Sequence, residues 1–151
     1  MNTNESSKYF DLHITGIGYL NRVREVFPKE GSPFWSVYIT ALHGHVDNVR
    51  HCYFDCIVVG EEAKDLVRQL QSAVNAEAKV LVGFQLSDLN PVPFTYRQGK
   101  RAGETGVHLK SSLLRFQWIK VDGQPFLMAR SAIAKYYSGP ELTPQAHFFV
   151  R

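Results

Sequence analysis

Between Ser87 and Lys110 the chain collects Arg97, Lys100, Arg101 and Lys110, against one acid, Glu104, after Asp88. Arg115 and Lys120 continue the basic run beyond it. In the same stretch Phe94 and Tyr96 lie on alternate residues, so in an extended segment both rings point to one side. Cations next to aromatic rings are the chemistry of a single-stranded nucleic-acid site. The cations track the phosphates, and each base stacked on a ring contributes about 1–3 kcal/mol. Tyr38, Tyr53, Phe84 and Trp118 fall in stretches that read as strands and could extend such a face. The blander account is a solvated basic loop, with Phe94 pinning it to the body of the fold and each strand aromatic serving the core. Trp35 shares its face with Val37 and Ile39 and is assigned to the core.

Other chemistries fit the residues less well. His43, His45, Asp47 and His51 crowd a turn beside Cys52, and imidazole and thiolate are the usual zinc ligands. Their spacing matches no closed four-ligand pattern, although His43 and His51 could approach across a hairpin. Histidines on a nucleic-acid face are the simpler account, and neither a metal nor another cofactor is expected. Catalysis would need a nucleophile with its base, or a glycine loop cradling phosphates. The GIG at residues 16–18 lacks the following helix that a dinucleotide site requires. No catalytic residue is therefore assigned. Cys52 and Cys56 sit four apart in a strand, about 13 Å between Cα atoms and well past the roughly 7 Å limit for a disulfide, so both are expected to be reduced.

The elements that must position these residues are mostly strands. Phe10, Leu12 and Ile14 alternate with polar residues as in a half-buried strand. Gly16 and Gly18 then interrupt the alternation before an extended pattern resumes over Tyr19–Val26, as where a long strand turns a barrel corner. Residues 34–42 alternate again, and 49–59 (VRHCYFDCIVV) is rich in β-branched and aromatic residues up to Gly60. From Glu61 to Val74 the period changes to helical steps, with Ala63, Leu66, Val67, Leu70 and Val74 on one face and Glu61 and Glu62 at the favourable end of the dipole. Residues 79–86 return to strand, a long polar loop with five Gly or Pro residues spans 87–110, and 112–121 forms a fifth strand. Three strands, one helix and two strands in that order predict a mainly β, five-stranded OB barrel, whose face and loops suit oligonucleotides.

The predicted organisation is a flexible N-terminus over residues 1–8, the OB domain over 9–123, and a C-terminal extension over 124–151. In that extension Phe126, Tyr136, Tyr137, Phe148 and Phe149 are candidate docking groups, and a short helix is suggested over Ser131–Tyr137. Length and composition suit one globular domain: 151 residues, 44% hydrophobic, 21% charged and 13% aromatic. Net charge is only +3, with pI about 8.9, so the balance permits an anionic partner without demanding one. No apolar run approaches the roughly 18 residues of a spanning helix, and Met1–Lys8 lacks the apolar stretch of a signal peptide. A cytoplasmic protein with no membrane partner is expected.

The stretch YFDCIVVGEEA (residues 53–63), followed by VLVGFQL (80–86), resembles the third strand, helix entry and fourth strand of bacterial single-stranded DNA-binding proteins. In that family an aromatic seven residues before the glycine preceding the helix stacks on a base, and Tyr53 holds that place before Gly60. A further stacking aromatic of the family's fourth-to-fifth strand hairpin is matched loosely by Phe94 or Tyr96. Through GIGYLNRVREV, FWSVYITALHG and LVGFQLSDL, residues 9–125 also resemble an uncharacterised family encoded on integrating conjugative elements and named as replication proteins. Together these resemblances imply a non-catalytic single-stranded DNA-binding protein in replication or transfer of a mobile element, built as a homo-oligomer. RNA is not distinguished from DNA, because both offer bases and phosphates. The rival expectation is an OB-fold interaction module that binds protein and no nucleic acid. One departure stands out: the bacterial binding proteins end in an acidic tail that recruits partners, whereas this chain ends HFFVR.

Overall fold

The computed structural model describes residues 8–128. Six strands and one helix follow in order: β1 (Ile14–Val26), β2 (Phe34–His45), β3 (Asn48–Val58), α1 (Glu61–Asn75), β4 (Val80–Thr95), β5 (Thr105–Val121) and β6 (Gln124–Met128). The sheet runs β3-β2-β1-β4-β5-β6, and an additional parallel pairing of β3 with β5, from Phe54–Leu109 to Val58–Leu113, closes it into a ring. All other pairings are antiparallel.

Closure gives the strands an inside and an outside, and the two-residue side-chain period sorts the sequence between them. On β2, Trp35, Val37, Ile39 and Ala41 face inward and are buried, as their spacing predicts. They meet Phe54, Cys56 and Val58 of β3, Val82, Phe84 and Leu86 of β4, and Leu113, Phe116 and Ile119 of β5. Helix α1 lays Ala63, Val67, Leu70 and Val74 against this core and packs on β1 and β5. Gly60 (φ 87°) gives the chain the left-handed turn into the helix, and Glu61 and Glu62 occupy its first turn. Arg68 of α1 reaches over the Trp35 ring, 6.0 Å from its centroid. Both cysteines are free thiols. Cys56 is buried beside Ser111 (3.4 Å), and desolvation pushes its pKa up to about 11.

Four features depart from the sequence reading. The first strand begins at Ile14, and Phe10 and Leu12 are 99% and 85% exposed, because among the described residues no strand runs alongside the chain before the Ile14–Leu86 pair. Gly16 and Gly18 sit within one continuous strand. A Cβ on Gly18 would lie 2.5 Å from the Thr40 carbonyl oxygen, so this glycine lets β1 and β2 approach. The irregularity comes later, at Asn21, between Leu20 and Arg22. The segment predicted as a long loop is largely a two-stranded arm: β4 extends to Thr95 and β5 starts at Thr105, so only residues 96–104 turn at its tip.

Finally, the extension read from residue 124 opens with β6, which pairs with β5 across Asp122–Gly123. Both turn residues have positive φ (49° and 82°), the geometry whose twist matches a two-residue hairpin. Phe126 of β6 packs against the core. The suggested helix at Ser131–Tyr137 and the aromatics Tyr136, Tyr137, Phe148 and Phe149 lie outside the described residues. Among the described residues no helix is long and apolar enough to cross a membrane.

Candidate nucleic-acid interface

On the outer face of β1, β2 and β3 the strand registers set side chains into a diagonal row. Arg22 is paired with Tyr38, Thr40 with Tyr53, and Leu42 with His51. The Tyr38 and Tyr53 rings stack 6.1 Å apart at 16°, and His51 follows Tyr53 at 6.5 Å and 29°. The Arg22 guanidinium lies 5.6 Å from the Tyr38 centroid at the other end, a cation–π contact. The Asn21 side chain donates a hydrogen bond to the Thr40 hydroxyl, which ties the irregular point of β1 to β2 next to this row. Tyr53 is 50% exposed despite its size, whereas Tyr38 is half-buried. Burial, then the negative charge of Asp55, pushes the Tyr38 phenol above its ordinary pKa, with Arg22 opposing.

The arm formed by β4 and β5 supplies the opposite wall. It leaves the ring at a bulge between Ser87 and Asn90, where Asp88 takes a positive φ of 56°. Bulges of this kind re-aim a strand pair. Phe94 is paired with Gly106, and with no side chain there its ring and that of Tyr96 fold over the glycine. A Cβ on Gly106 would sit 2.6 Å from Phe94 Cζ and 3.0 Å from Tyr96 Cε2. The two rings meet edge to face at 4.8 Å, and the His108 ring stacks on Phe94 at 4.1 Å and 16°. The Arg101 guanidinium covers Tyr96 at 4.4 Å, donates to its hydroxyl (3.0 Å), and pairs with Glu104 (3.0 Å).

These two groups line one cleft of about 590 Å³, with Tyr38, His51, Tyr53 and Asp55 on the ring side and Phe94, Tyr96, Val107 and His108 on the arm side. A volume of this order suits a small-molecule or base-sized guest. Arg97 and Lys100 are exposed at the arm's tip and form no ion pair among the described residues. Lys110, exposed on β5, is paired in the parallel register with Asp55 and borders an adjoining hollow with Arg24 and Ser36.

The cleft thus gathers Tyr38, Tyr53, Phe94 and Tyr96, with Arg101 on Tyr96, Lys110 beside the ring wall, and Arg97 and Lys100 at the arm's tip. It does not gather the rest of the expected face. Phe84 is 1% exposed, packed inside the ring against Phe54 at 6.3 Å, because it shares the inward parity of Val82 and Leu86. Trp118 is half-buried on the outside of β5, lying over Gly83, where a Cβ would come within 2.5 Å of its indole nitrogen. Arg115 is exposed opposite Gln85 of β4, six residues beyond Leu109 on β5, which is on the order of 20 Å along a strand. Two irregularities in the β4–β5 pairing, next to Phe84 and Leu86, shift parity and put Phe116 inward while Arg115 and Trp118 turn outward elsewhere.

Arg22, His51, His108 and Asp55 were not singled out as contacts by the sequence. By sequence His51 belongs with the histidine turn, but the register separates it from His43, which pairs with Arg50 and so points to the opposite face. The alternation of Phe94, Tyr96 and, across the hairpin, His108 was the one signal available, and Pro91 and Pro93 obscured the strand that carries it.

No curated protein matches the chain. A family model does match, over residues 3–134, and the chain belongs to that family, described as a protein of unknown function (DUF3577).

Proposed function

We propose that this protein is a non-catalytic single-stranded DNA-binding protein with an OB-type fold. Bases stack between the Tyr38–Tyr53–His51 row and the Phe94–Tyr96–His108 wall, and phosphates follow Arg97, Lys100, Arg101 and Lys110. The observation that carries this reading is the cleft itself: aromatic on both sides and open, with Arg101 over its Tyr96 ring and Lys110 at the adjoining hollow, while Arg97 and Lys100 at the arm's tip have no acidic partner among the described residues. Single-strand sites need this pairing of stacking platforms with a cationic track. The strand connectivity supports the OB assignment, because β1 pairs with β2 and β4, β3 with β5, and the helix falls between β3 and β4. A place in the replication or transfer of a mobile element, in the cytoplasm, fits the resemblance carried by GIGYLNRVREV and LVGFQLSDL.

The test is fluorescence anisotropy with labelled oligo-dT over a range of salt. Binding is expected at low salt and falls steeply as salt rises, because each phosphate contact releases counterions. An oligo-U probe alongside reports whether the sugar matters. No binding at low salt would sink the reading. A second reading, an interaction module or homo-oligomer contact, is favoured by a separate apolar patch. There Ile17, Val46 and Val49 are 45%, 84% and 44% exposed around Leu42 and Gly44. Sedimentation analysis of an Ile17→Asp variant separates the two: dissociation with binding retained assigns that patch to self-association.

A further inference from the structure

The cleft contains one group that a purely phosphate-tracking surface would avoid. Asp55 lies two residues after Tyr53 on the same face of β3 and lines the cleft beside Tyr38, at its junction with the hollow that Arg24, Ser36 and Lys110 border. It is half-buried. Its Oδ1 accepts a long bond from the Ser36 hydroxyl (3.5 Å), and among the described residues it forms no ion pair, although Lys110 is its partner in the β3–β5 register. The carboxylate therefore keeps most of its acceptor capacity for a guest. An ionised carboxylate only accepts hydrogen bonds and repels phosphate, so the edge of a base, not the backbone, must face this part of the cleft.

The four bases offer a carboxylate different edges. Guanine presents N1–H and the N2 amino group side by side, two parallel donors that match the two oxygens. Adenine and cytosine present one amino group next to a ring-nitrogen acceptor. Thymine and uracil present a single N3–H between two carbonyls, so a carboxylate that takes this proton brings its second oxygen against a carbonyl oxygen. We propose that Asp55 makes the cleft base-selective, favouring guanine and disfavouring thymine or uracil at the position held between Tyr53 and the arm. This rests on the single-strand reading above and adds to it a preference that stacking alone would not give, since every base has a stacking face.

The experiment compares a labelled dT oligomer with the same oligomer carrying one central dG, a probe that cannot form quadruplexes. The wild-type protein is expected to bind the dG probe roughly tenfold more tightly, the discrimination typical of a paired hydrogen-bonding contact to a base. Asp55→Asn should abolish the difference while retaining, or strengthening, binding to plain dT, because it removes a negative charge from an anion-binding cleft. A thermal melt of Asp55→Asn checks that the fold is intact, and Asp55→Ser provides a second variant with no carboxylate. Equal wild-type affinity for both probes, or a dG preference that survives in both folded variants, overturns the role of Asp55 while leaving single-strand binding standing. Failure to bind either probe at low salt overturns the single-strand reading and this inference with it.

Discussion

The ring and the arm use the same residue types for opposite ends. Inside the ring, Trp35, Phe54, Phe84 and Phe116 are buried and pack with aliphatic side chains of β2–β5 and α1. On the arm, Phe94, Tyr96 and His108 have no second layer to pack against among the described residues and stack on one another over Gly106. A two-stranded ribbon buries too little to be stable alone, so its rings stay available to a guest. What distinguishes a structural aromatic from an open one in this molecule is therefore whether its own side of the strand is enclosed by the ring: Tyr38 and Tyr53 belong to ring strands but lie on their outer face.

The widest separation between the two regions should appear in stability. Phe84→Ala removes a fully buried ring and should cost about 3–5 kcal/mol, seen as a large drop in the denaturant midpoint or melting temperature. Phe94→Ala, on the arm, should leave the melt of the ring nearly unchanged. A Phe94→Ala protein that melts as early as Phe84→Ala would show the arm to be part of the cooperative core.

Affinity should reverse the order. Tyr53→Ala and Phe94→Ala, from opposite walls of the cleft, should each weaken oligo-dT binding by about 1–3 kcal/mol, the worth of one stacked base. Trp118→Ala, outside the cleft over Gly83, should leave affinity unchanged in the same titration. Loss of binding on removing Trp118, with Tyr53 and Phe94 dispensable, would move the interface to the other side of the ring. Replacing Arg97, Lys100 and Arg101 together by Ala should act mainly on the salt response. For single strands the slope of log affinity against log salt falls by about 0.7 per lost phosphate contact, so a reduction approaching about 2 is expected.

How far the sequence reached follows the same division. Helix α1 and the inward face of β2 were legible because an enclosed core imposes an unbroken period, 3.6 or 2, on the apolar residues. Tyr38 was legible as a strand residue on the face opposite Trp35, and Tyr53 stood out through the resemblance that sets it seven residues before Gly60. The arm was not, because its strands have no buried face to write an alternation into the sequence, and Pro91 and Pro93 read as loop punctuation. Both prolines are exposed. Phe84 follows the unbroken inward period of Val80, Val82 and Leu86, which places it in the core, whereas Trp118 was misplaced for a local reason: the irregular pairings next to Gly83 break the parity of β5. Arg22 was hidden in the same way, one residue past the irregularity at Asn21. Phe10 and Leu12 show the converse, an alternation with no neighbouring strand among the described residues to use it.

The smallest expected effect is also the most local. Gly106→Ala deletes nothing from the cleft, yet its methyl group would stand 2.6 Å from Phe94 Cζ and 2.8 Å from Cε1, closer than such atoms can approach, so the Phe94 ring must shift. The ring fold does not depend on that contact, and its melting temperature should hold. Oligo-dT affinity should fall by less than in Phe94→Ala, because both rings remain and only their placement changes. Residues in direct contact couple, so the two substitutions should not add. Once Phe94 is Ala, introducing Ala at position 106 should cost little further affinity. If the two losses add in full, Gly106 acts on the guest through something other than the Phe94 ring, and the stacked arm would not be the unit that holds the base.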